Sequence, residues 1–437
     1  MSPAFVGLLG IAIMIILFTT RMPVAFVMGV VGFVGFSVLT SVQGGLNMLS
    51  RSMYEVFVSY DLTTIPLFIL MGQLAFNAGI SKSLFATAYR FFGHIHGGLA
   101  MATVSACTAF GAVCGSSPAT AATMATVAIP EMKRFGYHDR LAGGAVASGG
   151  GLGMVMPPSV VLIVYGVLTQ QSIGKLFASG ILPAFLLTFL FIVSIMISCR
   201  LRPELGPPGE RFSWADRFSS LKGLLDTLIV FVVVMAGLFR GWFTATEAAS
   251  VGAMSVLVLG LVRRQLNLAL VVKSLEETLR TSCMILFLVA GAVVFGKFLA
   301  VTRLPFSAAS YIAGLDMPAM AIMCVIALIY LIGGCFMDSL AMVMLTVPVF
   351  YPVVTGLGFD PIWFGVIIVM VTEMGVITPP VGINVYVVYG VTTAMKQNIS
   401  MESIFRGIYP FLLATIVCTL LLFIFPEIVT FLPSLLE

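Results

Sequence analysis

Stretches of about twenty apolar residues recur along this chain, separated by short loops that carry most of its basic residues. A helix needs about 20 mostly apolar residues to cross a hydrocarbon core about 30 Å thick. Such runs occur at 4–20, 23–41, 62–79, 181–199, 223–240, 245–262, 281–300 and 408–430. They are continuously apolar and do not alternate with period two, which sets aside a β-barrel. Only 9% of the 437 residues are charged and 60% are hydrophobic. A soluble surface usually needs about 25% charge, so lipid is the main solvent. The expected fold is an all-α polytopic membrane protein, which excludes a cytosolic enzyme, a secreted disulfide scaffold and a disordered chain.

Other compositional signals are weak. The net charge of +4 is scattered over loops and leaves no nucleic-acid footprint. Seven cysteines lie in apolar runs without a C-x-x-C pair and read as small buried hydrophobes. The run Phe5 to Phe18 lacks a preceding basic region, so it reads as a first span and not a cleaved signal.

Two further apolar regions, 97–169 and 317–395, are interrupted by glycine and proline clusters. If each holds a re-entrant hairpin followed by one crossing, and the amino terminus is outside, only Arg51, Lys175, Arg240, Lys297 and Arg303 fall outside. The other 17 of the 22 Lys and Arg then lie inside, in keeping with the positive-inside rule. The count is about ten crossings with both termini outside. The polar stretch 200–222, with Pro203, Pro207, Pro208 and Gly209, reads as a cytoplasmic linker.

The two interrupted regions repeat each other. An offset of 222 residues aligns Gly111 with Gly333, Ser117 with Ser339, Pro130 with Pro352 and Gly136 with Gly358. It also aligns Gly153 with Gly375, Pro157 with Pro379 and Pro158 with Pro380. A weaker echo, Gly72 to Phe76 against Gly291 to Phe295, needs an offset of 219. Five crossings separate the units, so the second is expected inverted. Inverted repeats with broken helices near the midplane characterise secondary transporters. The domains drawn on this basis are scaffold helices over 1–80, a first transport repeat over 81–180 and scaffold helices over 181–280. A second repeat follows over 281–400, and a C-terminal scaffold helix over 401–437.

The breaks carry chemistry. In the first tip, Gly115-Ser116-Ser117-Pro118-Ala119-Thr120, Ser117 suits an N-cap and Pro118 the first helical position. The second tip reads Gly334-Cys335-Phe336-Met337-Asp338-Ser339-Leu340, with Asp338 or Ser339 as cap. Each would start a half-helix whose free amides and positive dipole end favour an anion. The second breaks, Gly149 to Pro158 and Glu373 to Asn384, each hold two prolines. Pro157 and Pro158 free the carbonyls of Gly153 and Met154, and Pro379 and Pro380 those of Gly375 and Val376. Such oxygens suit a hard cation such as sodium. Asp338 and Glu373 are acids at membrane depth and so candidate functional groups. Asp338 has a capping role as its plainer reading, and Glu373 has pairing with a scaffold Lys or Arg. Gly149 to Gly153 lacks the preceding strand of a nucleotide loop, His94 and His96 lack further metal ligands, and Ser116 and Ser117 lack a nearby histidine for a triad.

These breaks, together with Gly241-Trp242-Phe243-Thr244-Ala245-Thr246-Glu247-Ala248-Ala249, resemble the large membrane subunit (DctM-like permease) of tripartite ATP-independent periplasmic (TRAP) transporters over nearly the whole chain. The resemblance implies an elevator-type secondary transporter of the bacterial inner membrane, driven by a sodium (Na+) gradient. It would receive an organic acid, such as a C4-dicarboxylate or a sialic acid, from a periplasmic substrate-binding protein. A small four-helix (DctQ-like) membrane subunit, expected as a separate polypeptide, would accompany it. One sodium site would lie around Ser116, Ser117, Gly149 and Gly153, and another around Met337, Asp338, Gly375 and Thr378. The substrate carboxylate would sit between the tips, near Ser116, Ser117, Asp338, Ser339 and Asn384. The alternative is a stand-alone sodium- or proton-coupled anion symporter of the same architecture. An intramembrane enzyme would need a converging acid/base pair that no pattern here requires.

Overall fold

The computed structural model describes residues 2–18, 20, 22–304, 307 and 317–436. Thr19 and Arg21, at the end of the first expected span and in the loop after it, and residues 305–306 and 308–316 of the second expected repeat lie outside the described residues.

Every regular element among the described residues is a helix. The first group is α1 (Pro3–Phe18), α2 (Val24–Leu39), α3 (Val42–Val58), α4 (Thr64–Asn77) and α5 (Ile80–Phe92). Next come α6 (Gly98–Cys114), α7 (Ser117–Arg134), α8 (Asp139–Val155), α9 (Val160–Thr169) and α10 (Ile173–Leu201). The middle holds α11 (Trp214–Ser220), α12 (Lys222–Phe239), α13 (Ala245–Val262) and α14 (Leu268–Thr302). The last group is α15 (Ala319–Gly334), α16 (Ser339–Gly356), α17 (Pro361–Ile377), α18 (Ile383–Ala394), α19 (Met401–Ile424) and α20 (Glu427–Ser434). By length and composition six helical segments can cross a membrane, or up to eight if bent pairs count as single spans.

Both expected hairpins form. Arms α6 and α7 turn at Gly115, whose φ of +67° only glycine adopts readily. Arm α6 has 17 residues, about 26 Å at 1.5 Å per residue, which is short for a full crossing. Arms α15 and α16 form the second hairpin. Behind each hairpin lies a broken helix, α8–α9 and α17–α18, with a cis proline–proline bond in each break.

The packing is reciprocal. Arm α7 packs on α18, and its equivalent α16 packs on α9; α8 packs on α19, and α17 on α10. A two-fold relation between repeats generates such swapped pairs, because element i then meets j wherever j meets i. Glycines make both hairpins close-fitting. A methyl on Gly111 would lie 2.8 Å from the Gly153 Cα, and one on Gly375 would lie 2.6 Å from the Gly334 Cα. The offset-219 echo has no such common role: Gly72 faces Cys114, whereas Gly291 faces Ala25 on α2.

Four features add to the expected spans and boundaries. Residues 42–58 form a helix, α3, bent 57° from the following helical segment. Its buried positions Gly45, Met48, Ser52 and Val56 follow a helical spacing. The span at 281–300 is part of the 35-residue α14, which is about 52 Å long, so the boundary at 280/281 falls inside a continuous helix. The boundary at 180/181 likewise falls inside α10. Finally, α19 joins the broken helices closely: a methyl on Gly144 would lie 2.3 Å from the Gly407 carbonyl oxygen. That fit ties the expected C-terminal scaffold helix to the first repeat, while α2, α4, α13 and α14 pack among themselves.

Candidate functional site

The first tip differs by one residue from its expected capping. Ser116 occupies the N-cap position in an extended conformation and makes no side-chain cap bond, and Ser117 is the first helical residue of α7. The Ser117 hydroxyl is engaged from behind, accepting a 2.8 Å bond from Asn384 Nδ2. That same nitrogen donates to the Ala147 carbonyl at 3.0 Å. Asn384 is fully buried, and through these bonds it links α18, α7 and α8. At the second tip Asp338 is the cap, its carboxylate accepting from the Leu340 amide at 3.1 Å. At the second tip Asp338 thus takes up the start of α16, whereas at the first tip no side chain caps α7 and its first amides remain available to an anion.

Each tip is docked on its break. The Val160 amide donates to the Gly115 carbonyl at 3.3 Å, so the first break holds the turn of hairpin 1. Gly153 faces the Ser116 carbonyl and the Thr120 hydroxyl, whereas Gly149 faces Cys107 on α6, away from the tip. In the second repeat Gly375 packs against Gly334 and the Cys335 amide. Of the two carbonyls expected to be free there, that of Gly375 is used, as is the preceding carbonyl of Met374. Gly375 O accepts from the Thr378 amide at 3.0 Å, and Met374 O accepts from the Thr378 hydroxyl at 2.5 Å.

Both tips open on one cavity of about 430 Å³, within the range of small-molecule sites. Hairpin 1 contributes Ser116, Ser117 and Pro118, and hairpin 2 contributes Asp338, Ser339 and Leu340. The opposite wall comes from α4, through Gln73 and Phe76, and from α14, through Glu277 and Thr281. Of the expected substrate contacts, Ser116, Ser117, Asp338 and Ser339 line this cavity; Asn384 does not. Among the described residues no lysine, arginine or histidine lines it, and no cluster of three His, Cys, Asp or Glu side chains could hold a metal. Gln73 and Glu277 were not singled out in the sequence. The absence of proline throughout 268–302, and of glycine before Gly291, is the signal that could have extended α14 back to Glu277.

Glu373 forms no ion pair with the scaffold. It is 1% exposed, both carboxylate oxygens lack a hydrogen-bond partner, and it faces Gly151 on α8.

The model of the DctM component of the tripartite ATP-independent periplasmic transporter matches residues 11–428. The chain belongs to this family. It is 35% identical over 390 residues to the C4-dicarboxylate TRAP transporter large permease protein DctM of Pseudomonas aeruginosa, covering 89% of this chain and 88% of that protein. It is 34% identical over 415 residues to the sialic acid TRAP transporter large permease protein SiaM of Vibrio cholerae, covering 95% of each. The crystal structure of the YdaH transporter of Alcanivorax borkumensis superposes with a TM-score of 0.64 at 15% identity. It covers 97% of this chain and 98% of that one, a likeness of fold alone. The DctM family chain described here is thus a multi-pass transporter permease and not an enzyme.

Proposed function

We propose that this permease takes up a small organic acid by an elevator motion in which the hairpins and broken helices move together, coupled to an inward sodium gradient. The observation that carries the reading is the convergence of two half-helix starts, at Ser116–Ser117 and Asp338–Ser339, on one cavity. A carboxylate there meets unpaired amides and two positive dipole ends. Since among the described residues no basic side chain lines the cavity, whereas Asp338 and Glu277 do, an anionic substrate needs a co-bound cation to balance the site. Sodium is therefore a transported co-substrate in this reading. The breaks offer it hydroxyl and carbonyl oxygens around Ser116, Gly153, Asp338 and Gly375, and the orphaned buried oxygens beneath the first tip fit the same demand. The cation would hold each tip on its break, so that ion and substrate stabilise the same arrangement.

The relatives' names speak of C4-dicarboxylate and sialic acid permeases, so both acids are the first substrates to test. A tripartite system further suggests a periplasmic binding protein and a small membrane subunit as partners, in the bacterial inner membrane. The experiment is uptake of succinate and of a sialic acid into proteoliposomes holding the permease and its small subunit, with the binding protein supplied outside. Uptake is expected only with an inward sodium gradient. Uptake of equal rate with potassium in place of sodium refutes the coupling, and uptake without the binding protein establishes the stand-alone symporter instead.

A further inference from the structure

Behind the first tip the packed helices α7, α8, α17 and α18 bury polar groups from both repeats. Glu373 on α17 is 1% exposed, and Asn384 on α18, Ser148 on α8 and Thr120 on α7 are each 0% exposed. Glu373 Oε1 and Oε2, Asn384 Oδ1 and Ser148 Oγ have no hydrogen bond of ordinary geometry among the described residues. Native interiors rarely leave such buried polar atoms unsatisfied, and a buried carboxylate is the most costly of them.

The placement of Glu373 is built into the repeat. At the offset of 222 its equivalent is Gly151, and its carboxylate lies against that glycine. A methyl on Gly151 would fall 1.2 Å from Glu373 Oε1 and 2.3 Å from Oε2. Equivalent positions that face each other lie on the axis relating the repeats. One repeat supplies an acid there and the other supplies only room. The Ser117 hydroxyl stands beside the carboxylate and accepts from Asn384 Nδ2, which also donates to the carbonyl of Ala147, the residue before Ser148.

We propose that Glu373, the Asn384 side-chain carbonyl and the neighbouring Ser117 and Ser148 hydroxyls form an internal sodium site at the repeat interface. Of these groups Ser117 also lines the cavity that Asp338 faces, whereas Glu373, Asn384 and Ser148 do not. The donors are all oxygens and carry one negative charge, a set suited to a hard monovalent cation. An ion there satisfies the orphaned atoms and holds the start of α7 from below, so that ion binding orders the tip the substrate meets. The proposal rests on the sodium-coupled reading above and adds to the tip residue Ser117 three ligands outside both tips, Glu373, Asn384 and Ser148.

The test is thermal unfolding of the full chain, purified with its small subunit, while sodium chloride replaces choline chloride at constant ionic strength. Wild type is expected to be stabilised by sodium. Glu373→Gln keeps the shape and removes the charge, so it should be more stable than wild type without sodium. Its half-saturating sodium concentration should rise at least tenfold. Equilibrium binding of radioactive sodium should fall by one ion per chain. Ser148→Ala, a smaller change, should raise half-saturation several-fold without loss of folding. If Glu373→Gln and Ser148→Ala respond to sodium as wild type does, the internal site is wrong while sodium coupling stands. If wild type neither binds sodium nor gains stability from it, the coupled reading fails together with the site.

Discussion

Replacing Gly375 by alanine tests the docking of hairpin 2 on its break. A methyl at this position would lie 2.5 Å from the Gly334 carbonyl carbon and 2.9 Å from the Cys335 amide nitrogen. Both neighbours are backbone, so no side chain can rotate away. Reaching ordinary contact at 3.4 Å requires the end of α15 to move by about 0.9 Å. Overpacking of a close-fitting interior costs about 1–3 kcal/mol. Alanine in place of glycine inside a helix returns about 1 kcal/mol, leaving a net loss of about 0–2 kcal/mol. Gly390→Ala is the internal control, because nothing lies within 4 Å of its methyl. Only the helix-propensity gain applies there, a stabilisation of up to about 1 kcal/mol. Thermal unfolding in one detergent should therefore rank Gly390→Ala above wild type and Gly375→Ala below it. Uptake should fall in Gly375→Ala alone, since the shift displaces Asp338 on the following turn. Equal stability gains in both variants would refute the close docking of hairpin and break.

Asp338→Asn keeps an oxygen for the Leu340 amide, whereas Asp338→Ala removes it, at a cost of about 1 kcal/mol for a lost cap. Abolished uptake in both variants, with membrane insertion intact, assigns the negative charge a transport role; normal uptake in Asp338→Asn reduces it to a cap. Asn384→Ala leaves Ser117 and the Ala147 carbonyl without their donor, an expected loss of about 1–3 kcal/mol measurable by thermal unfolding. Unchanged stability would deny it the supporting role. At the loop before α13, Thr244 and Glu247 form a reciprocal capping box. The Thr244 amide and hydroxyl both donate to the Glu247 carboxylate, and the Glu247 amide donates back to the Thr244 hydroxyl. Thr244→Ala should therefore cost about 1 kcal/mol in thermal unfolding, and unchanged stability would deny the box a role.

Much of the working part was legible because it is written in residues that break helices. Glycine and proline at membrane depth cannot be hidden among leucines, so both hairpins and both breaks stood out, and the 222-residue offset paired them. The finer assignments were not, for physical reasons. Ser117 does not cap α7 because it is the first helical residue, and its hydroxyl is held by Asn384, 267 residues distant. The carbonyl of Gly375 lost its expected freedom because Thr378 closes a local turn on it. The role of Glu373 depends on Gly151, a contact visible only once the two repeats are packed. Helix α3 escaped notice because its buried stripe is narrow and its remaining face is polar or lipid-facing, so no run of twenty apolar residues marks it.

The account stands on two tips serving one anion site, and thiol protection tests this directly. Ser116→Cys and Ser339→Cys would each be made in a background whose seven native cysteines are replaced. Labelling by a small water-soluble thiol reagent is then followed as the transported acid is raised in the presence of sodium. Both cysteines should be protected, with the same half-protecting concentration, and neither when sodium is omitted. Protection of one tip alone, or of the two at concentrations differing tenfold, would contradict a shared site.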